Sequence, residues 1–151
     1  MSLTGLATVT AVAIGLMFGA GLFTFAYGRG GSYLTNDPKA CANCHVMQEQ
    51  FDGWTHSSHH AVATCNDCHT PHDFAGKWFT KALNGWNHSF AFTTGRFEEP
   101  IRMGRRNRAI TESACRSCHS ELTRSIDYAG QTGASEPLSC LKCHWNAGHL
   151  H

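Results

Sequence analysis

The most apolar stretch of the sequence is at its start, where residues 1–28 contain no charged side chain. The run from Leu3 to Tyr27 is about 25 residues long, and a helix needs roughly 20 apolar residues to span a bilayer. A cleaved signal peptide has a shorter apolar core, of about 7–15 residues, behind a basic start. This run is longer, lacks a basic start and ends without a clear cleavage site. We therefore predict an uncleaved transmembrane anchor over residues 1–28.

The pattern changes after residue 28, and no later segment alternates apolar and polar residues as a half-buried strand does. Turn-forming residues are concentrated in LTNDP (34–38) and GQTGASEP (130–137). One segment has helical spacing, because Lys81, Gly85 and His88 lie at positions i, i+4 and i+7 and would share one helix face. The sequence thus predicts helices and coil without a sheet.

Four repeats of Cys-x-x-Cys-His contain all 8 cysteines of the chain. Two cysteines at this spacing attach a c-type haem, and the histidine that follows lies beneath the iron. Zinc ribbons also pair Cys-x-x-Cys units, but they do not require the following histidine. We predict four covalently bound haem c groups, attached to Cys41 and Cys44, Cys65 and Cys68, Cys115 and Cys118, and Cys140 and Cys143.

The spacing of the four repeats predicts how the domain is organised. The first cysteines lie at positions 41 and 65, and then at 115 and 140 after a longer insert. Only about 30 residues are available for each haem, too few for an ordinary apolar core, so the porphyrins must form the core. We predict a mostly α-helical and coil fold, with a transmembrane helix and a haem-packed tetrahaem domain (29–151) built of two di-haem units. Covalent haem attachment places this domain on the periplasmic side of a bacterial cytoplasmic membrane.

The insert between the two pairs of repeats carries a dense set of aromatic side chains. They are Trp78, Phe79, Trp86, Phe90 and Phe92. Two interpretations remain open, a helix that lies on the bilayer surface and aromatic rings that pack on the haem faces. Four arginines in the segment 102–108 could bind propionates, lipid phosphates or an acidic partner.

Histidine and methionine side chains are the candidate iron ligands. The repeats themselves supply His69, His119 and His144, whereas the first repeat offers either His45 or Met47. The cluster before the second repeat contains His56, His59 and His60, of which we favour His59 or His60 as a distal ligand. His149 is a further distal candidate and His72 a weaker one.

These features together resemble the NapC/NirT family of membrane-anchored tetrahaem quinol dehydrogenases. The resemblance is carried by DPKACANCHVM, by HSSHH followed by CNDCH, by GWNHSFAFT and by CLKCHWNAGH. It is greatest to the small subunits of cytochrome c nitrite reductases. The resemblance implies that Met47 binds the first iron with His45 displaced. It also implies that His60 is the distal ligand of the third haem and His149 that of the second.

The resemblance further implies a menaquinol site and a protein partner. Lys81 resembles a quinol-site lysine, and His88 follows Asn87 where some relatives carry an aspartate. His88 is then either a proton acceptor or the sixth ligand of the first haem. Electrons would leave through the fourth haem, whose other ligand a partner subunit could supply.

The implied function is a quinol dehydrogenase that serves the catalytic subunit of a periplasmic pentahaem nitrite reductase, in a hetero-oligomeric complex in contact with membrane lipid. One alternative is an electron-relay tether without a quinol site. Another is a quinol dehydrogenase for a different periplasmic reductase. A formal net charge of +1 gives no reason to expect a nucleic-acid partner.

Overall fold

The computed structural model describes residues 2–130 and 138–149, and the chain divides into two compact units, Met1–Thr35 and Asn36–His151. The turn-rich stretch predicted at 130–137 lies, apart from residue 130, outside the described residues. The boundary of the first unit falls a few residues after the predicted anchor. That the first unit is an anchor and the second a haem domain is a prediction that this division does not test.

The first unit is dominated by α1, which spans Leu3–Tyr27 and has no buried side chain. At about 1.5 Å per residue, 25 residues extend roughly 37 Å, enough to cross a hydrocarbon core of about 30 Å. The hydroxyls of Thr8, Thr10 and Thr24 each donate to the carbonyl four residues earlier at 2.8–2.9 Å. These three hydroxyl donors are thus satisfied within the helix, as a membrane-spanning segment would require. A short 3₁₀ helix, Gly30–Leu34, follows.

The second unit consists of short helices and coil, and the described residues contain no strand. This confirms the predicted fold class. Its elements are α2 (Pro38–Cys41), a 3₁₀ helix (His45–Met47), α3 (Gln48–Thr55), α4 (Cys65–His69), α5 (Phe74–Thr94), α6 (Arg105–Cys118), α7 (Ser120–Gly130) and α8 (Cys140–Cys143).

The helix predicted from the spacing of Lys81 and His88 is α5, which forms most of the insert. Asp73 caps its start by accepting the Gly76 N–H at 2.7 Å. Its end is set by Gly95, whose φ of 64° lies in the left-handed region. The Arg96 N–H then bonds the Ala91 carbonyl at 2.9 Å, as in a Schellman cap.

The described residues bury very little apolar side chain. Among the described residues, Ala114 is the one hydrophobic residue that is buried. The other buried side chains are polar or charged, and they are those of Ser57, Thr70, Thr80, Lys81 and Thr111. Polar contacts join some of the helices. The Arg106 guanidinium, for example, donates to the Thr80 hydroxyl at 2.8 Å and joins α6 to α5. This composition fits the expectation that haems supply the apolar core.

Candidate haem-binding sites

The four cysteine motifs lie close to one another in chain order. The Cys41 and Cys65 side chains share a hydrogen bond, which is the main cause that lowers the pKa of Cys41 to about 7. The second and third motifs meet where α4 packs on α6. Burial raises the pKa of Cys140, and Glu112 and Cys115 contribute to the increase. Each motif is therefore close to the next, including a contact between the second and third that their spacing does not predict.

Three of the motifs continue as a helical turn from the first cysteine to the histidine. In the second motif, α4 covers all five residues from Cys65 to His69. In the third and fourth, the His119 and His144 N–H groups each bond the carbonyl of the motif's first cysteine at 2.9 Å. A common turn of this kind carries the histidine to the same place relative to its cysteine pair.

The first motif departs from this geometry. Its helix ends at Cys41, and Cys44 has an extended backbone with φ of −93° and ψ of 119°. His45 then starts a 3₁₀ helix, in which the Met47 N–H bonds the Cys44 carbonyl at 2.9 Å. With about three residues per turn, positions 45 and 47 point in different directions. The first motif thus lacks the continuous helical turn that joins cysteine and histidine in the other three, and both His45 and Met47 remain candidate ligands there.

His69 of the second motif lies opposite His149. Their ring centroids are 6.1 Å apart, with ring planes inclined by 37°. Two imidazoles that bind opposite sides of one metal ion at about 2 Å each have centroids roughly 6 Å apart. The pair therefore has the separation of two ligands of one iron. His149 Nδ1 is 2.7 Å from the Gln50 carbonyl oxygen, which leaves Nε2 for the metal.

His119 of the third motif lies opposite His59 in the same way. Their centroids are also 6.1 Å apart, and the ring planes are inclined by 82°. His59 Nδ1 is 3.1 Å from the Ala147 carbonyl oxygen. His60, the residue expected here from the resemblance, instead packs edge-on against the Trp54 ring at 4.7 Å. The adjacent side chains of His59 and His60 point in different directions, and it is His59 that lies opposite His119.

The remaining candidate histidines are engaged locally. His56 Nδ1 is 2.8 Å from the Asp52 carbonyl oxygen, one turn earlier on α3. Both ring nitrogens of His72 have partners, since Nε2 is 3.0 Å from the Asp67 carbonyl oxygen and Nδ1 is 3.3 Å from the Ser117 hydroxyl. Within the described part of the chain, no ring lies opposite His144 as His149 lies opposite His69.

The side chains of the described residues form no group of three or more His, Cys, Asp and Glu that could hold a metal ion. A zinc ribbon needs four such ligands. Paired imidazoles beside paired cysteines suit haem iron instead, because the porphyrin fills the other coordination positions.

Lys81 lies beside the first motif. It is 6% exposed, its Nζ is 5.3 Å from the Trp78 ring centroid, and the same nitrogen is 3.5 Å from the Asn36 side-chain oxygen. Burial lowers the pKa of Lys81, and its charge in turn helps to lower the pKa of Cys41. A buried ammonium group thus lies next to a cysteine that is predicted to attach haem.

His88 lies two turns further along α5, about 10 Å from Lys81 at 1.5 Å per residue. Burial lowers the pKa of His88. Burial is also the main cause that lowers the pKa of His69 to about 4, and the charges of His149 and His88 add to it. His88 is therefore within electrostatic reach of the second motif, whereas Lys81 is next to the first.

Two α6 side chains that the sequence did not single out hold the fourth motif. The Glu112 carboxylate accepts a hydrogen bond from the Ser139 hydroxyl, from the Cys140 N–H at 2.8 Å and from the Leu141 N–H at 3.2 Å. One turn later, Arg116 donates to the Leu138 carbonyl at 2.6 Å and forms an ion pair with Asp127. The start of α8 is thus fixed from another helix.

Comparisons with known proteins were consistent with each other. The NapC/NirT cytochrome c family, N-terminal region, matches residues 3–151. The cytochrome c-type protein NrfH of Wolinella succinogenes is 40% identical over 127 residues, which cover 78% of this chain and 71% of the relative. The cytochrome c nitrite reductase subunit NrfH of Nitratidesulfovibrio vulgaris is 30% identical over 121 residues, which cover 80% and 72%.

A solved structure is similar over nearly the whole chain. It is the crystal structure of the cytochrome c nitrite reductase NrfHA complex bound to the HQNO inhibitor. The TM-score is 0.66 at 28% sequence identity, and the match covers 98% of this chain and 90% of that chain.

Proposed function

The chain belongs to the NapC/NirT cytochrome c family, and on that premise we propose that it is a membrane-anchored tetrahaem quinol dehydrogenase. It oxidises menaquinol at the periplasmic face of a bacterial cytoplasmic membrane and passes the electrons to a periplasmic multihaem nitrite reductase. Support comes from the names of the two relatives, from the matching complex, from the 25-residue apolar helix and from the four attachment motifs.

The observation that carries this proposal is the distinct geometry of the first motif. The helix of this motif is broken at Cys44, directly before His45, and the buried Lys81 lies beside Cys41 of the same motif. A relay tether has no need for a motif that differs from the other three or for a buried cation next to it. A thioether from Met47 would favour the reduced iron relative to imidazole, which suits the haem that receives electrons.

The ring pairs support the proposed ligands of the second and third irons: His69 and His149 would bind the second, and His119 and His59 the third. Met47 would bind the first iron. His144 binds the fourth iron, whose opposite side would accept a ligand from the partner subunit. The support for His59 in place of His60 is its separation of 6.1 Å from His119.

The haems, when bound, supply one-electron redox chemistry. Menaquinol gives up two electrons and two protons as it becomes menaquinone, so the site must also handle two protons. The Lys81 ammonium donates a hydrogen bond to a quinol oxygen and orients the headgroup. Burial keeps the His88 imidazole neutral near neutral pH, and a neutral imidazole can accept a proton.

The test is stopped-flow absorbance of the purified protein in detergent, mixed with a menaquinol analogue. We expect rapid reduction of part of the haem, and inhibition of that reduction by HQNO. Dithionite is the control that defines full reduction. Full reduction by dithionite with none by the quinol would refute quinol oxidation and favour the tether.

Nitrite reduction by added nitrite reductase measures the second half of the proposal. Electrons should flow from the quinol to nitrite only when both proteins are present. Rapid quinol oxidation without transfer to this reductase would leave a quinol dehydrogenase that serves a different partner.

A further inference from the structure

Two hydrogen bonds join distant parts of the chain in a reciprocal arrangement. His59 bonds the carbonyl oxygen of Ala147, 88 positions away, at 3.1 Å. His149 bonds the carbonyl oxygen of Gln50, 99 positions away, at 2.7 Å. Gln50 is on α3, the helix that leads to His59, and Ala147 is two residues before His149. Each histidine is therefore held by the segment that carries the other.

Both bonds involve Nδ1, and a carbonyl oxygen can only accept. Each contact is therefore a hydrogen bond in the tautomer that carries the proton on Nδ1, and in that tautomer Nε2 has the lone pair that a metal requires. The Ser58 hydroxyl, 3.2 Å from His59 Nδ1, is a second neighbour of that nitrogen. Such an outer-shell bond fixes the tautomer and the ring orientation of a ligand. The ligand for one haem is thereby oriented from the segment that supplies the ligand for the next.

We propose that His59 and His149 form a reciprocal latch, which sets the distal ligation of the second and third haems together. Loss of either histidine removes the distal ligand of its own iron. It also removes the hydrogen bond that anchors the segment orienting the other histidine ring. The inference rests on the ligand assignments under the proposed function. It makes each histidine a positioning residue for the neighbouring haem as well as a ligand of its own.

His56 provides a matched contrast within the same cluster. Its Nδ1 bonds the Asp52 carbonyl at 2.8 Å, four residues earlier on the same helix. That bond is local and joins no second segment. Its loss should therefore leave the latch intact.

The experiment is electron paramagnetic resonance of the oxidised full-length haem protein carrying His149→Met. Methionine can still bind iron, but it has no ring N–H to bond Gln50. The ring planes are inclined by 37° at the second iron and 82° at the third, so the two irons should give separate low-spin signals. We expect the second-haem signal to change and the third-haem signal to shift with it. The His56→Ala control should leave both signals as in the parent.

A second variant, His149→Ala with added imidazole, separates the latch from electronic coupling between the haems. Imidazole restores a ligand to the second iron but not the bond to Gln50. The latch predicts recovery of the second-haem signal while the third remains shifted. Recovery of both signals, or a change in the second alone, overturns the latch and leaves the ligand assignment standing. No change in either signal overturns the assignment of His149 itself.

Discussion

Replacing Glu112 by alanine should loosen the start of α8, where we propose that the fourth haem is attached. The first N–H groups of a helix have no partner within the helix, and two of them here donate to Glu112 from the Cys140 and Leu141 backbone. Hydrogen bonds to a charged group contribute about 1.5–3 kcal/mol each. Water partly replaces them at this half-exposed site, and we expect a net local loss of about 2 kcal/mol, or roughly 30-fold in the opening equilibrium.

Amide hydrogen exchange in the oxidised haem protein measures this opening equilibrium directly. Amides in a peptide covering residues 138–144 should exchange roughly 30-fold faster in Glu112→Ala, and Glu112→Gln should lie between it and the parent because the amide oxygen still accepts. Glu121→Ala, on the exposed surface of α7, is the control. Unchanged exchange in Glu112→Ala would refute the role of this carboxylate.

The same carboxylate predicts a pH dependence. Burial alone would raise the pKa of Glu112, but the hydrogen bonds from Ser139, Cys140 and Leu141 lower it below its ordinary value of 4.5. A carboxyl whose pKa is lower in the folded state stabilises that state above its unfolded pKa. This stabilisation is lost as pH falls through the folded pKa. Protection of the α8 amides should therefore decrease below about pH 4.5 in the parent and less so in Glu112→Gln.

Five further substitutions test three other parts of the structure. Met47→Ala should alter the spectrum of one haem and His45→Ala none, whereas four unchanged haems in Met47→Ala would exclude it as a ligand. His88→Ala should slow reduction of the haems by quinol and spare their reduction by dithionite, and Lys81→Ala should raise the KM for quinol. If either variant has the same quinol kinetics as the parent, the residue changed in that variant is not part of the quinol site. Gly95→Ala places a side chain at φ of 64° and should destabilise the end of α5 by about 1 kcal/mol, measured as faster amide exchange there; unchanged exchange would contradict the cap.

Features encoded by neighbouring residues could be predicted from the sequence. The apolar run from Leu3 to Tyr27 is the helix α1, and the spacing of Lys81 and His88 predicted α5. Both follow from local rules, since a helix depends on side chains three or four positions apart. The absence of a strand from the described residues was likewise predictable.

Features that depend on contacts between distant residues could not be predicted from the sequence. His59 and His60 are adjacent and chemically identical, and the choice between them depends on Ala147 and His119, far along the chain. Glu112 reaches α8 across 27 or more positions without a motif to mark it. The extended backbone at Cys44, which separates His45 from the other motif histidines, has no signature in CANCH that the other three motifs lack.

The position of His149 in the chain has a consequence for assembly. A polypeptide is synthesised from its N-terminus, so all four cysteine pairs emerge before the residue that lies opposite His69. On the proposed ligand assignment, the outer coordination position of the second haem would stay vacant, and His59 would lack its carbonyl partner, until residues 145–149 are made. The contact of His149 with Gln50 on α3 would then complete the coordination of the second iron and help to orient His59 towards the third.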